Sequence, residues 1–160
     1  MKIDASREPV TAFVALGANL GDALATLTGA IEQLNSVEGV VVTTRSSLYA
    51  TAPVDSSGPD YVNAVVQVRT SLTAPELLRQ LHAIEQTAGR VRPYRNAPRT
   101  LDLDILLYGD GRVNSDALTI PHPRMAQRAF VLVPLAEIAP ACVTAEQLHD
   151  VKAQAITKLG

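Results

Sequence analysis

The segment "RTLDLDILLYG", Arg99 to Gly109, alternates apolar and acidic residues with the period of a β-strand. The apolar residues, predicted to share one face, are Leu101, Leu103, Ile105 and Leu107. Asp102 and Asp104 fall on the other face. Residues on one side of a strand lie roughly 6.5 Å apart, so two ionised carboxylates there repel by about 2–3 kcal/mol at an effective dielectric of about 20. The acidic pair is therefore a candidate site for a positively charged partner.

Three further strands are predicted from short apolar runs that are bounded by turn residues. They are "TAFVALG" (11–17), "VVVTTRSSLY" (40–49) and "YVNAVVQVRTS" (61–71). Apolar residues at helical spacing predict one helix after the first strand and another before the acidic strand, the latter opened by a capping box of Thr73 and Glu76. The segments 50–60 and 91–98 are predicted to be loops.

The order strand, helix, strand, strand, helix, strand predicts an α+β protein with a ferredoxin-like βαββαβ core. Both helices then pack on one face of an antiparallel sheet. The leucines beside Asp102 and Asp104 are expected to face these helices, so the acids face the side that those helices leave uncovered. A turn with a short extra strand (111–120), a short helix (130–140) and a capped terminal helix (144–156) are predicted to follow the core.

The composition is that of an ordinary globular protein. The chain has 160 residues, of which 47% are hydrophobic and 19% charged, and this predicts a single domain with residues 1–10 as a polar extension. No apolar run is long enough to span a membrane and the N-terminus is too polar for a signal peptide, so we expect a cytoplasmic location and no membrane partner. A net charge of −2 argues against nucleic acid as a partner.

The paired aspartates have three interpretations: a divalent cation site, an acid–base pair or a solvated strand face. Mg²⁺ is typically held by one or two protein carboxylates, while phosphate oxygens and water complete its coordination. The preceding segment "GRVRPYRNAPRT" offers phosphate-binding groups, because the planar guanidinium of arginine contacts phosphate in a bidentate manner. Its arginines are Arg90, Arg92, Arg95 and Arg99. A magnesium site that a phosphorylated ligand completes is the favoured interpretation, and a solvated charge run is the alternative for the arginines.

Two smaller groups of residues are candidates for ligand binding. Tyr61 and Asn63 are two residues apart on a predicted strand and so share one face, where they offer a ring for stacking and an amide that both donates and accepts hydrogen bonds. His122 lies between two prolines in "IPHPRM", so its backbone is stiff. A surface tyrosine and a structural histidine are the alternatives. The chain has no G-x-x-x-x-G-K-[ST] phosphate loop, and the arginine segment is the predicted source of phosphate-binding charge.

Six segments lie in unbroken order over roughly residues 13–140: "ALGANLGD", "YVNAVV", "GRVR", "PRTLDLDILLYG", "LTIPHPRM" and "RAFVLVPLAEIAP". Together they resemble the 6-hydroxymethyl-7,8-dihydropterin pyrophosphokinase family. The resemblance implies a ferredoxin-like fold and an ATP-dependent diphosphotransferase of folate biosynthesis. Such an enzyme transfers pyrophosphate from ATP to the hydroxymethyl group of a reduced pterin and releases AMP. Mg²⁺, with two ions expected, is the implied cofactor, and ATP is the implied co-substrate.

The resemblance also implies roles for individual residues. The implied metal ligands are Asp102 and Asp104, and the implied catalytic arginines are Arg90 and Arg99. The implied pterin-binding residues are Thr51, Val54, Tyr61, Asn63 and Phe130. The implied ATP-binding residues are Glu85, Arg92, Arg99, Thr119, His122 and Arg128. The chain departs from the family pattern in having no tryptophan in the loop between Arg92 and Arg99, and in having Pro123 where some members have tyrosine.

Two other classes of protein share parts of this pattern. A metal-dependent phosphohydrolase would use the same acids and arginines. A non-catalytic ferredoxin-like module would sense a small ligand or bind RNA without turnover, although "YVNAVVQV" lacks the aromatic pattern of RNA-binding strands. We expect a monomer that acts on small molecules.

Overall fold

The structure, a computed structural model, describes residues 8–19, 22–51, 61–88 and 101–159. The strands are β1 (Val10–Ala18), β2 (Val40–Arg45), β3 (Tyr49–Thr51), β4 (Tyr61–Thr70), β5 (Leu101–Tyr108), β6 (Val113–Asn114), β7 (Thr119–Ile120) and β8 (Thr157–Lys158). The α-helices are α1 (Ala23–Asn35), α2 (Ala74–Ala88), α3 (Ala129–Ile138) and α4 (Ala145–Asp150). Within the described ranges, no helix has the length and apolar character needed to cross a membrane.

Strand β1 lies inside a six-stranded sheet and pairs antiparallel with both β4 and β5. The far edge of β4 pairs with β2 and with β3, so these two short strands occupy one strand position in succession. This arrangement of two helices and four strand positions is the ferredoxin-like fold, and the predicted fold class is confirmed. Strand β8 extends the sheet beyond β3, and β6 and β7 form a separate antiparallel pair where a short extra strand was predicted.

Helices α1 and α2 cover one face of the sheet, as predicted, and pack against the inward-facing residues of β1, β4 and β5. Their fully buried leucines are Leu27, Leu34, Leu77 and Leu81. The predicted capping box at the start of α2 is confirmed. The main-chain N of Thr73 donates to Glu76 Oε1 (2.7 Å), and the main-chain N of Glu76 donates to Thr73 Oγ1 (3.2 Å). These bonds satisfy N–H groups that the first turn of a helix leaves without partners.

Helix α3 covers part of the opposite face of the sheet. Its Val131 and Leu135 pack against Phe13, Val65 and Leu106 in a second apolar cluster. The sequence predicted a face that α1 and α2 leave uncovered, and α3 reduces the open part of that face. Among the described residues, the part of this face beside the first residues of β5, where the two acids lie, is not covered by α3.

A β-bulge in β5 corrects one detail of the predicted strand. The pairing with β1 steps from Ile105 to Leu107, so Leu106 is an extra residue in the strand. Leu106 and Leu107 therefore both pack on the side of α3. The prediction that Leu107 shares a face with Leu103 is wrong, whereas the alternation holds for the residues before the bulge, which include the acids.

The second predicted strand is interrupted where two serines follow β2. The Ser46 hydroxyl accepts from the main-chain N of Val65 (3.0 Å) and donates to the main-chain O of Ser47 (2.7 Å). Ser47 donates through its main-chain N (3.0 Å) and its hydroxyl (2.7 Å) to the carboxylate of Glu137 on α3, and the Tyr49 hydroxyl donates to the same carboxylate (2.6 Å). Side-chain hydrogen bonds compete with strand pairing here, and the strand divides into β2 and β3.

The terminal helix is shorter than predicted. It begins after Thr144, as expected, but ends at Asp150 instead of continuing to residue 156. The chain then turns and forms β8, and the main-chain N of Leu159 donates to the main-chain O of Leu48 (2.8 Å). These long-range hydrogen bonds override the local preference of the segment for helix.

Glu137→Gln is expected to lower the free energy of unfolding by about 1 kcal/mol near neutral pH. The expected loss is this small because the side chain is exposed, and water weakens its charged hydrogen bonds. Burial raises the pKa of Glu137, but hydrogen bonds from Ser47 and Tyr49 and the charge of Lys158 outweigh it and hold the pKa below the ordinary 4.5. A carboxyl whose pKa is lower in the folded state stabilises the fold above pH 4.5, and this stabilisation disappears as the pH falls through the folded-state pKa.

Urea unfolding from about pH 7 to about pH 3 measures this effect. Glu32→Gln is the matched control, since it removes the exposed ion pair between Glu32 and Arg45 (3.2 Å) and is expected to change stability little. The same loss of stability at every pH, or the same loss in both variants, would contradict the assigned role of Glu137.

Candidate active site

The two aspartates of β5 share the sheet face opposite α1 and α2, as predicted. In the pairing with β1, Asp102 lies opposite Gly17 and Asp104 lies opposite Ala15. Asp102 is exposed and Asp104 is half-buried. Gly17 in turn pairs with Asn63 of β4. A continuous row therefore crosses the sheet from the carboxylate of Asp102 to the amide of Asn63.

Two clefts, of about 800 Å³ and about 400 Å³, meet at these aspartates, which line both. The predicted pterin-binding residues that line the larger cleft are Thr51, Tyr61, Asn63 and Phe130. Of the predicted ATP-binding residues, Arg128 lines the larger cleft, and those lining the smaller cleft are Glu85, Thr119 and His122. The acidic pair thus lies where the cleft of the predicted pterin-binding residues meets the cleft that three of the four described ATP-binding candidates line.

Several predicted site residues lie outside the described ranges. They are Val54, Arg90, Arg92, Arg95 and Arg99. Most of the two predicted loops falls there as well, although residues 50 and 51 belong to β3. The roles of these residues stay predictions.

Asn63 and Gly17 form the floor of the larger cleft. Asn63 is 4% exposed, and its Nδ2 donates to the hydroxyl of Thr51 (2.7 Å). A Cβ at position 17 would lie 3.0 Å from Asn63 Oδ1, closer than side chains normally approach. Glycine therefore leaves the floor open between this amide and Asp102. The sequence signal that could have identified Gly17 is a glycine inside a strand pattern, which often marks close approach of a ligand or another group.

Two aromatic side chains line the larger cleft. Tyr61 lies on β4, two residues from Asn63 and on the same face, as predicted. Phe130 lies in the first turn of α3, and the guanidinium carbon of Arg128 is 5.3 Å from the centroid of its ring. This distance is within the range of a cation–π interaction. The larger cleft thus combines flat apolar rings with a nearby positive charge.

His122 is fixed at the smaller cleft by its own backbone and by its ring. Its main-chain N donates to the main-chain O of Leu106 (3.0 Å), and its Nδ1 accepts from the main-chain N of Arg124 (3.1 Å). The neutral ring therefore carries its proton on Nε2, which lies 4.0 Å from Asp104 Oδ1. Burial lowers the pKa of His122; Asp104 opposes this effect, and the charges of Arg128 and Arg124 add to it. The ring presents an N–H donor beside the acids.

Glu85 contacts the backbone between the two acids. Its Oε2 accepts from the main-chain N of Leu103 (2.7 Å), the residue that separates Asp102 from Asp104. This bond ties α2 to the backbone of β5 at the residue between the two aspartates. The resemblance to a family implied a position for Glu85 at the nucleotide, and no pattern in the sequence predicted its contact with Leu103.

The described part of the chain holds no group of three or more His, Cys, Asp or Glu side chains that could bind a metal ion. Asp102 and Asp104 nevertheless fit Mg²⁺, because one or two carboxylates suffice when phosphate oxygens complete the coordination. Acids at the border of an aromatic cleft and a polar cleft are suited to a reaction in which a phosphate-containing ligand in one cleft reacts with a ligand in the other. The fold and site therefore define a candidate phosphoryl-transfer enzyme with two substrates.

Residues 13–140 match the family described as 7,8-dihydro-6-hydroxymethylpterin-pyrophosphokinase. The chain belongs to this family, as its motifs predicted. The 2-amino-4-hydroxy-6-hydroxymethyldihydropteridine pyrophosphokinase of Synechocystis sp. is 52% identical over 129 residues, which cover 81% of this chain and 66% of that protein. The protein of the same name from Haemophilus influenzae is 45% identical over 131 residues, which cover 81% of this chain and 82% of that protein.

Solved structures agree with the ferredoxin-like fold. A triple mutant of Plasmodium falciparum HPPK-DHPS has a TM-score of 0.71 at 13% sequence identity, over 95% of this chain and 46% of that chain. An HPPK-DHPS in complex with substrates has a TM-score of 0.62 at 14% identity, over 82% of this chain and 40% of that chain. The chain thus spans less than half of these two structures, and at such low identity they show the fold alone.

Gly17→Ala is expected to lower the free energy of unfolding by about 1–2 kcal/mol, because the added methyl group meets Asn63 Oδ1, and Asn63 is buried and hydrogen-bonded to Thr51. Gly29→Ala is the matched control. Nothing lies within 4 Å of a Cβ at position 29 of α1, and alanine favours helix, so this variant is expected to be more stable. Thermal and urea unfolding of both variants measure the difference. A Gly17→Ala protein as stable as wild type would show that the floor of the cleft has room for a side chain.

Proposed function

We propose that this protein transfers the pyrophosphoryl group of ATP to the hydroxymethyl group of 6-hydroxymethyl-7,8-dihydropterin and releases AMP, as a step of folate biosynthesis. Membership of the pyrophosphokinase family supports this proposal. The structural observation that carries it is the position of Asp102 and Asp104 on the border of both clefts. At this border, the hydroxyl group of a ligand in the larger cleft would meet the phosphates of a nucleotide that extends from the smaller cleft.

The larger cleft is proposed to bind the pterin, a flat bicyclic ring with an amide-like edge. Tyr61 and Phe130 offer aromatic faces for stacking on such a ring. Asn63 offers its Oδ1 and its second Nδ2–H to the polar edge, because one Nδ2–H is used by Thr51. Val54, outside the described ranges, is proposed to complete this site through its backbone.

The smaller cleft and the adjoining arginines are proposed to bind ATP. His122 offers its Nε2–H to a phosphate oxygen, and Arg128 offers a cation from the larger cleft. The remaining proposed nucleotide-binding residues are Glu85, Thr119, Arg92 and Arg99, of which the two arginines lie outside the described ranges.

In the proposed reaction, the hydroxyl oxygen of the pterin attacks the β-phosphorus of ATP. The bond between this phosphorus and the bridging oxygen of the α-phosphate breaks, AMP departs, and the hydroxyl proton is released. Asp102 and Asp104 are proposed to hold Mg²⁺, with two ions expected, which when bound would neutralise phosphate charge and orient the phosphate chain. Arg90 and Arg99 are proposed to stabilise the charge that develops on the phosphate oxygens. Positioning and electrostatic stabilisation would supply most of the rate enhancement.

We further propose that the chain acts as a single-domain monomer in the cytoplasm. The lack of an apolar run long enough to span a membrane is the sequence feature that supports the proposed location.

Product analysis tests the proposed function. The protein is incubated with Mg²⁺, ATP and the reduced hydroxymethyl pterin, and the expected products are AMP and pyrophosphorylated pterin in equal amounts. Release of phosphate or pyrophosphate without the pterin would instead indicate a phosphohydrolase. Binding of the pterin without any turnover would indicate a ligand-sensing module.

Asp102→Asn and Asp104→Asn are each expected to reduce the rate of AMP formation by about 10³-fold. Each substitution removes a carboxylate charge that is proposed to hold Mg²⁺, and the phosphates depend on that cation in the transition state. Asp110→Asn is the matched control, since Asp110 lies in the exposed turn after β5 and lines neither cleft. Circular dichroism checks that all three variants fold. An Asp102→Asn protein with wild-type turnover would remove the proposed metal site.

Tyr61→Ala is expected to weaken pterin binding by about tenfold and to change ATP binding by less than about twofold. The ring of Tyr61 lines the larger cleft and not the smaller one. Calorimetric titration with each ligand measures the two affinities, the pterin being added in the presence of Mg²⁺ and an ATP analogue that cannot release AMP. Tyr61→Phe retains the ring and is the control, with near wild-type affinity expected. Equal weakening of both ligands by Tyr61→Ala would argue for a general structural role.

A further inference from the structure

The side chain of Gln154 joins the C-terminal segment to the start of α3. Its Oε1 accepts from the main-chain N of Ala129 (2.9 Å), and its Nε2 donates to the main-chain O of Gln127 (2.9 Å). These two backbone groups lie on either side of Arg128. One amide thus holds both ends of the short segment from which Arg128 and Phe130 enter the larger cleft.

The bond to Ala129 replaces a helix cap that the local sequence lacks. The first N–H groups of a helix have no partners within the helix and are satisfied by capping side chains, water or other groups. The N-cap of α3 is Arg128, whose side chain forms no capping hydrogen bond. Ala129 is only 3% exposed, so its N–H has little access to water. Gln154 supplies the missing acceptor from 25 positions further along the chain.

Gln154 is itself held from both sides. Before it, Val151 is buried against Ala129 and Leu132 in an apolar cluster. After it, β8 pairs with β3, the strand that ends at Thr51 of the larger cleft. The backbone at Gln154 is therefore held on both sides, and the two hydrogen bonds of its side chain hold the start of α3 in place relative to it. Gln154 also lines the larger cleft, which places these bonds at the wall of the candidate site.

We propose that Gln154 is a positioning residue for the pterin, which fixes the ring of Phe130 through its hydrogen bonds to the main chain of Gln127 and Ala129. The proposal rests on the proposed function of the larger cleft. Gln154 acts through the start of α3 and not through contact with the reacting atoms. Loss of the two bonds lets the first turn of α3 shift, and the stacking surface that Phe130 offers to the pterin is then no longer fixed.

A double-mutant cycle with Phe130 tests the proposal. Gln154→Ala is expected to raise the dissociation constant of the pterin about tenfold, measured by calorimetry with Mg²⁺ and an ATP analogue that cannot release AMP. Because Gln154 acts through Phe130, the same substitution made in a Phe130→Ala protein is expected to change the dissociation constant by less than about twofold. Gln154→Glu retains the acceptor for Ala129 and loses the donor to Gln127, so an intermediate effect is expected.

Gln147→Ala is the matched control for damage to the C-terminal segment. Gln147 forms the capping box of α4 with Thr144 and lines neither cleft, so its loss is expected to lower the melting temperature without changing pterin affinity. Unchanged pterin affinity in Gln154→Ala would overturn the proposal, as would additive effects in the cycle or an equal effect of Gln147→Ala.

Pterin binding and AMP release by the wild-type protein distinguish a failure of this proposal from a failure of the proposed function. A wild-type protein that binds the pterin and releases AMP, together with variants of unchanged affinity, overturns the role of Gln154 alone. A wild-type protein that does not bind the pterin overturns both.

Discussion

The pairing of β1 with β4 on one side and β5 on the other is the constraint on which the site depends. This register places Gly17 between Asp102 and Asn63, so that acids and amide lie in one row across the sheet. A strand shifted by one residue presents its opposite face. Such a slip in β5 would bury the acids under α2 and expose leucine in their place. The apolar core therefore enforces the geometry of the site, since burying leucine and burying an ionised carboxylate differ greatly in free energy.

Most of the fold could be predicted from the sequence because its signals are local. Alternation placed the acids on the correct face, and the capping box of Thr73 and Glu76 marked the start of α2. The errors arose where distant residues decide the structure. The predicted strand that begins at Val40 divides because Ser47 binds Glu137, which lies 90 positions further along the chain. Leu107 changes face because β5 contains a single extra residue. Neither effect has a signal in the segment that it alters.

The candidate site shows the same division between local and distant information. Spacing alone identified the acidic pair and placed Tyr61 beside Asn63, and the structure brings both pairs to the larger cleft. The binding roles of Glu85 and Phe130 came only from the resemblance to a family. Gln154 came from neither, because it lies in a segment predicted to be helical and its partners are main-chain atoms of α3 and the turn before it. Side chains that act on a distant backbone leave no pattern that periodicity can reveal.

The contacts along β5 also bear on self-association. In the described part of the sheet β5 is an edge strand, and such edges present free main-chain groups to which a strand of another molecule can add. Here the Leu103 N–H is occupied by the Glu85 carboxylate, and the Leu106 carbonyl is occupied by the main chain of His122. A strand that added to this edge of β5 would have to displace these two hydrogen bonds, one of which holds the backbone between the two acids.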